Sequence, residues 1–249
     1  MDIKLSLLNE FYRGLCRDRA KVESYEHGFD FLDGLLAGGA TMEYAEMSLT
    51  GMLHKYKVSQ IPEWRMNELL EAHIRKVLNV CLYFDDTANR LFCINLDNNH
   101  KTNNTVVIPE MELAVRLLRE NLIKLGCEPL VIASGRGFHL WGRLEAAIEN
   151  ERLHNLMLRS MARTFLGCHQ QGYDHREIKA NFYPDPRARD VVSLRLFGSR
   201  HVKNKVFSRV LTPDGLLDEQ ESWEAFERYM KEKTIRVETF DRAYETVMA

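Results

Sequence analysis

Apolar residues recur at helical spacing in two stretches of the first 80 residues. The first stretch runs from Leu5 to Leu15, with apolar positions three or four residues apart. The second follows Pro62, a residue favoured in the first turn of a helix, and its apolar stripe reaches Val77. The glycine-rich residues between them are typical of a loop. We therefore predict a mostly helical N-terminal segment over residues 1–80.

After residue 80 the pattern changes to short β-prone runs separated by turns and helices. Two such runs flank Asp85–Asn89, which predicts a hairpin and places Asp97 at a strand end. A helix with one apolar stripe is predicted between Pro109 and Gly126. The runs "PLVIAS" and "FHLWGRL" predict two strands around a glycine turn, and a helix follows from about residue 145 to 165.

Two strands and an acidic helix complete the pattern. The runs "VVSLRLFGS" and "VFSRVL" predict strands on either side of the basic loop "RHVKNK", and residues 219–229 predict a surface helix. This order predicts an α+β fold in which a mixed or mainly antiparallel sheet is flanked by helices. We place a core at residues 81–215 and an acidic helical tail, packed on that core, at residues 216–249.

The composition indicates a globular chain. Of its 249 residues 45% are hydrophobic, which is enough for a proper core, and no apolar run approaches the roughly 18 residues of a membrane span. The five cysteines form no C-x-x-C pair, which argues against a disulfide framework and a zinc ribbon. We expect reduced, mostly buried thiols, a cytoplasmic location and no membrane partner.

A near-neutral net charge of -2 hides a basic stretch. Residues 176–209 contain nine basic and three acidic side chains, whereas residues 214–249 contain five basic and ten acidic ones. The acidic tail therefore cancels the basic stretch in the total. The distribution predicts a local surface for phosphate groups or nucleic acid.

Three segments carry candidate chemistry. In "INLDNNH", Asn95 and Asp97 are two apart on a strand, so both side chains leave one face, where oxygen ligands would hold a hard cation. The alternative is an ordinary Asx-rich turn. In "SGRGFHLW", the Ser134–Gly137 turn lets backbone amides approach an anion, Arg136 adds charge, and His139 lies on the next strand. The alternative is a plain glycine hairpin.

The third segment is "DPRARDVVSLRLFGSRHVKNK", in which acidic residues stand beside a basic cluster. Asp185 and Asp190 precede a predicted strand that carries Arg195, and a glycine turn with further polar and basic residues follows. Such a mixture suits a site where metal and phosphates meet. The alternative is a solvated charged loop.

In this order the three segments resemble the motifs of the archaeo-eukaryotic primase (AEP) superfamily, which contains primase small subunits and primase-polymerases. The resemblance covers about residues 91 to 210. Asn95 and Asp97 match the acidic pair of its first motif, and Ser134 and His139 match its Ser-x-His-type second motif. Asp185, with "RLFGSRHVK", matches its third motif, although Phe197 replaces the usual proline. Asp190 and Asp174 are alternatives to Asp185.

The resemblance implies an AEP-like, RRM-like fold and a primase or polymerase activity with Mg²⁺ or Mn²⁺. Asp97, Asp185 and Asn95 would hold metal and, with His139, form the catalytic set. The implied nucleotide-binding residues are Ser134, Gly135, Arg136, His139, Arg195, Ser199, His201 and Lys203. The implied nucleic-acid-binding residues are Arg200, Lys205 and Arg209.

The implied partners are nucleoside triphosphates, a single-stranded DNA or RNA template, and a separate helicase or large primase subunit. Asn95 departs from the family pattern, because an amide oxygen carries no charge and binds a cation more weakly than a carboxylate. The alternative function is therefore a weakened module of the same fold. It would bind nucleotide or nucleic acid in replication, in a mobile element or in a defence system.

Overall fold

The computed structural model describes residues 3–25, 39–47, 53–99, 107–187, 193–201 and 206–249. It confirms the α+β fold class, with helices on two antiparallel sheets. Within the described ranges the helices are α1 Ile3–Phe11, α2 Glu63–Ile74, α3 Pro109–Lys124, α4 Asn150–Gln170, α5 Glu219–Glu232 and α6 Val237–Met248. None of them is long and apolar enough to cross a membrane.

Two antiparallel sheets form the centre of the molecule. The first sheet has the strand order β2-β3-β1-β4-β9, and the second has the order β11-β10-β6-β7-β5-β8. The strands of the first sheet are β1 Cys16–Tyr25, β2 Thr41–Met47, β3 Leu53–Ser59, β4 Leu78–Tyr83 and β9 Ser193–Arg195. Those of the second are β5 Ala88–Asn98, β6 Leu130–Ala133, β7 Gly137–Glu149, β8 Ile178–Tyr183, β10 Arg209–Thr212 and β11 Gly215–Leu216.

The prediction that residues 1–80 are mostly helical is wrong between Cys16 and Ser59. The two predicted helices are present as α1 and α2, but β1, β2 and β3 lie between them. β1 pairs with β4, so the N-terminal segment and the predicted core share one sheet, and the boundary at residue 80 falls inside β4. The reason is a period of two, with Ala20 and Val22 buried beside the polar Lys21 and Glu23.

The predicted hairpin around Asp85–Asn89 is also wrong. β4 belongs to the first sheet and β5 to the second, so these neighbours in sequence do not pair. The turn between them is held by Asn89, whose Oδ1 accepts from the backbone N–H of Asp85 at 3.0 Å. A polar connection that looks like a hairpin turn therefore carries the chain from one sheet to the other.

Side chains of β5 alternate between two hydrophobic cores. Phe92, Ile94 and Leu96 belong to a core between the second sheet and the helices α3, α4 and α6. Leu91 and Cys93 belong to the other core, which lies between the two sheets and includes residues of α1, α2 and α5. The positions that follow Cys93 on this second face are Asn95 and Asp97. The polar pair therefore begins where the core between the sheets ends.

The turn after β9 is held by buried polar groups from the N-terminal helices. The N–H of Phe197 donates to the Tyr12 hydroxyl at 2.9 Å. The Nδ1 of His73 accepts from the N–H of Val80 at 3.1 Å, so its Nε2 carries the proton and donates to the Phe197 carbonyl at 2.9 Å. Buried backbone groups need such partners, so these helices stabilise a turn more than 100 residues away in sequence.

Gly137→Ala should lower the free energy of unfolding by about 2 kcal/mol, measured by urea denaturation. Gly137 opens β7 opposite Asp97, and a Cβ atom there would clash with the backbone carbonyl of Leu96. Gly167→Ala in α4 is the control, because its Cβ would meet only the flexible Leu117 side chain at 3.3 Å. Equal stability losses in the two variants would contradict this close approach.

His73 should make the protein less stable in mild acid. Burial lowers its pKa to about 4 from 6.5. The His73 imidazole is therefore protonated below about pH 6.5 in the unfolded chain but only below about pH 4 in the folded chain. Stability from this group is complete above pH 6.5 and falls by roughly 3 kcal/mol as the pH drops to 4.

Denaturant unfolding of wild type and His73→Gln across this pH range checks the prediction. The unfolding free energy of wild type should change more steeply with pH than that of the variant. The difference between the two slopes should correspond to the binding of up to one proton on unfolding. Parallel curves for the two proteins would show that His73 is not the group that titrates.

Candidate active site

A polar cleft of about 240 Å³ lies between the two sheets, beyond the core that they share. Residues from all three sequence motifs line it. The predicted site residues among them are Asn95, Asp97, Ser134, Arg136, His139, Arg195 and His201. The other lining residues are Lys21, Glu23, Lys55, Cys81, Tyr183, Ser193 and Leu194. The structure thus gathers segments that are about 100 residues apart in sequence.

Asp97 is held by two neighbours at the edge of the cleft. One carboxylate oxygen accepts from Asn95 Nδ2 at 3.1 Å, and the other accepts from Arg136 Nε at 3.2 Å. The Asp97 side chain is 20% exposed, so it faces the cleft without being free in solvent. The aspartate is therefore already oriented, and its charge is compensated by a guanidinium.

The oxygen ligands on β5 suit a cation that is shared with a substrate. Within the described part of the chain the buried Oδ1 of Asn95 has no hydrogen-bond partner, and the carboxylate of Asp97 lies beside the same amide. Among the described residues there is no group of three or more His, Cys, Asp or Glu side chains that could hold a metal ion. Magnesium is often bound by one or two carboxylates together with substrate phosphates, so this small set fits a shared ion.

His139 is a neutral imidazole at physiological pH. It lies directly opposite Asn95 in the β5–β7 ladder. Burial, and after it the nearby positive charge of Arg195, lower its pKa to about 4, while Asp97 acts in the opposite direction. A neutral ring offers one N–H donor and one acceptor, so His139 can donate to a phosphate oxygen without bringing a charge.

The predicted Ser134–Gly137 turn is a tight β-hairpin between β6 and β7. The N–H of Ser134 donates to the carbonyl of Gly137 at 2.8 Å, and Gly135 has a φ of 109° that favours glycine. Ser134 and Arg136 line the cleft. The hairpin thus brings a hydroxyl and a guanidinium to the site, and the Ser134 amide is used within the turn.

The structure does not bring Asp185 to the cleft. Its Oδ1 lies 3.3 Å from Arg187 Nε and 4.0 Å from Nδ1 of His154, a residue of α4. His154 also contacts the ring of Phe182, which packs in the core on the far side of the second sheet. Beyond β8 the chain therefore turns toward α4. Asp97 lines the cleft and Asp185 does not, so the two carboxylates do not converge on one cation as expected.

Of the two alternatives to Asp185, Asp174 is among the described residues and Asp190 is not. Asp174 is an exposed residue whose carboxylate pairs with Arg176 at 2.6 Å, and the hydrogen bonds from Arg176 lower its pKa to about 2. This pairing occurs at the surface, away from the cleft-lining residues. Asp190 lies outside the described residues. Among the described residues, neither Asp174 nor Asp185 therefore joins Asp97 in the cleft lining.

The remaining predicted residues of the third motif are dispersed. Ser199 is buried in the turn after β9, and Arg200 has an exposed side chain. Arg209 pairs with Ala133, and its neighbour Val210 packs toward the core between the sheets, so alternation puts Arg209 on the opposite face of the second sheet. The predicted Lys203 and Lys205 lie outside the described residues.

The sequence interpretation missed the wall that the first sheet contributes. Lys21, Glu23 and Lys55 line the cleft opposite Asp97, with Glu23 paired to Lys55 across β1 and β3. Their signal was the alternation of polar and buried residues along both strands, which the helical interpretation hid. Lys21 brings an ammonium group to the cleft from the first sheet.

A larger cavity of about 570 Å³ lies on the other face of the second sheet. Val115 and Ile123 of α3 and Val131 of β6 are among its mainly apolar lining residues. None of the predicted site residues lines it. Because the predicted site residues line the smaller, polar cleft, that cleft is the candidate site.

No protein-family model and no curated protein sequence matches this chain. Among solved structures, the polymerase domain of Mycobacterium tuberculosis Ligase D, in complex with DNA, matches with a TM-score of 0.52 and 12% identity. This match covers 94% of this chain and 88% of that one. The AEP domain of the cyanophage S-2L primase-polymerase has a TM-score of 0.42 and 10% identity, over 91% of this chain and 97% of that one.

At such low identity the Ligase D match establishes the fold alone, and it does so over most of the chain. The match agrees with the α+β fold that the three sequence motifs implied. This chain has the fold of the Ligase D polymerase domain.

Proposed function

We propose that the protein is a primase- or polymerase-type nucleotidyltransferase that makes or extends primers on a nucleic-acid template. The observation that carries this proposal is the cleft, where Asp97, Arg136, His139 and Arg195 come together from all three motifs. Fold similarity alone would not support a function, because one fold hosts many activities. The charged residues in the cleft supply the chemistry.

The triphosphate of the incoming nucleotide would lie between the two sheets. Arg136 and Arg195 offer guanidinium groups, which suit phosphate oxygens, and Lys21 adds an ammonium group from the opposite wall. Ser134 and neutral His139 would donate further hydrogen bonds. Because these groups come from rigid strands and a tight hairpin, they would orient the α-phosphate before reaction.

Asp97 and the Oδ1 of Asn95 are the residues that would hold Mg²⁺ or Mn²⁺. When bound, such an ion supplies charge neutralisation at the phosphates and orients the attacking 3′ hydroxyl. Asp97 would then exchange part of its pairing with Arg136 for the cation. Arg136 would turn to the phosphates, which carry more negative charge than one carboxylate.

The nucleic-acid template would be single-stranded DNA or RNA. The protein would act in the cytoplasm, and a separate helicase or large primase subunit would be a further partner. The Ligase D domain was solved with DNA, and this chain has the same fold. Exposed Arg200, next to the cleft residue His201, would contact the template backbone together with Lys205, and Lys203 would contact the triphosphate. Such contacts make affinity fall steeply with salt.

Two observations favour a second candidate, a module that binds nucleotide or nucleic acid without turnover. Asn95 contributes no negative charge to a cation site, and Asp185 is directed to His154 and not to the cleft. The same guanidinium groups would bind a triphosphate in either case. Turnover alone separates the two functions, so an activity assay decides between them.

Asp97→Asn should abolish primer synthesis and extension while leaving the protein folded. The variant keeps the size of the side chain but removes the charge that would hold the cation. The assay uses Mn²⁺ or Mg²⁺ with both kinds of triphosphate on single-stranded templates, and unfolding by urea controls for stability. No product from wild type under any of these conditions would reject the enzymatic proposal and leave the binding module.

The same assay identifies the third acidic ligand. Asp174→Asn, Asp185→Asn and Asp190→Asn each remove one candidate charge. The variant that loses activity as completely as Asp97→Asn marks the ligand. Asp185 is the assignment implied by the motif resemblance, and retained activity in Asp185→Asn would withdraw it.

Asn95→Asp should raise the affinity of the cleft for Mn²⁺ and increase activity at low metal concentration by about tenfold. A second carboxylate beside Asp97 adds the charge that the motif usually carries, worth about 1.4 kcal/mol if affinity rises tenfold. Activity is measured against Mn²⁺ concentration at saturating triphosphate. A variant that needs as much Mn²⁺ as wild type for half-maximal activity, or more, would show that Asn95 is not at the cation site.

A further inference from the structure

The side chain of Asn79, on β4, binds the segment that follows the cleft residue Arg195. Its Oδ1 accepts from the N–H of Arg200 at 3.0 Å, and its Nδ2 donates to the carbonyl of the same residue at 2.9 Å. Asn79 is 2% exposed, so these bonds are shielded from water. One buried amide therefore replaces a backbone partner at the residue next to His201.

The same Asn79 also acts on Arg195 through a buried carboxylate. Its Nδ2 donates to Glu23 Oε2 at 3.2 Å, and this oxygen lies 3.6 Å from Nε of Arg195. The Glu23 side chain is only 7% exposed, so it needs both partners. Asn79 therefore reaches both ends of the segment 195–201, directly at Arg200 and through Glu23 at Arg195.

The two ends of this segment, Arg195 and His201, both line the cleft together with His139. A long arginine side chain loses much conformational freedom when it binds a phosphate. A guanidinium that is already held by Glu23 loses less, which favours binding.

From this geometry we infer that Asn79 is a positioning residue, which holds Arg195 and His201 in the arrangement that binds the triphosphate. The inference rests on the proposed function, because it assigns a role within the same cleft. Asn79 does not line the cleft and touches no reacting group. Its effect is on the binding of the triphosphate in both the ground state and the transition state.

The chain offers a matched control at Asn89. This asparagine is 1% exposed, accepts from the N–H of Asp85 at 3.0 Å and donates to the Asp85 carbonyl at 2.9 Å. It also donates to a buried side-chain oxygen, that of Asn150, at 2.7 Å. Asn89 thus makes the same kinds of bond at the turn between β4 and β5, outside the cleft.

The test compares Asn79→Ala with Asn89→Ala, and Asn79→Asp with Asn89→Asp. Primer extension gives kcat and the KM for the triphosphate. Calorimetry gives the affinity for an α,β-methylene triphosphate with Mn²⁺, and urea unfolding gives stability. The two alanine variants should lose similar stability, whereas Asn79→Asp should lose more than Asn89→Asp because it sets a second carboxylate against Glu23. Only the Asn79 variants should raise KM, by about tenfold, with kcat within about twofold of wild type, as expected for lost uniform binding.

Equal KM values in the Asn79 and Asn89 variants would overturn the inference. So would the failure of both Asn79 variants to fold while both Asn89 variants fold, because the residue would then be structural. If wild type neither extends a primer nor binds the analogue, the proposed function fails and this inference fails with it. Wild type that binds the analogue without extending a primer still allows the affinity comparison.

Discussion

The cleft depends on the alternation of side chains along β5. From Phe92 to Leu96 one face of this strand is apolar and packs against α3 and α4, while the other changes from apolar to polar after Cys93. A shift of one residue in the register would bury Asp97 among those helices and expose Leu96 to the cleft. The paired strands β7 and β8 hold that register on both sides. The chemistry of the site is thus inseparable from the packing of the core.

Buried polar groups provide the second part of the arrangement. The turn after β9 has little regular secondary structure of its own. Its backbone groups form hydrogen bonds with the side chains of Tyr12, His73 and Asn79. The contact with Tyr12 also gives a physical reason for Phe197, where the related motif usually has proline. A proline would lack the N–H that donates to the hydroxyl, and it would lose the stacked ring contact with Phe226.

Local signals in the sequence predicted the parts of the site that lie on single elements. The spacing of Asn95 and Asp97, the glycine turn before His139 and the position of Arg195 all led to residues that line the cleft. The first sheet was missed because the helical stripes on either side outweighed the short alternation in β1 and β3. The place of Asp185 depends on where the chain turns after β8, which is a tertiary contact with His154 and leaves no local pattern.

The pairing of Asp97 with Arg136 bears on the order in which solutes would enter the cleft. A cation alone would have to compete with a guanidinium that already neutralises the aspartate. A triphosphate alone would draw that guanidinium away and leave a carboxylate near its own negative charge. When both arrive, each relieves the cost imposed by the other, so their affinities are linked. Under the proposed function, the cleft would respond to the joint presence of metal and nucleotide more strongly than to either one.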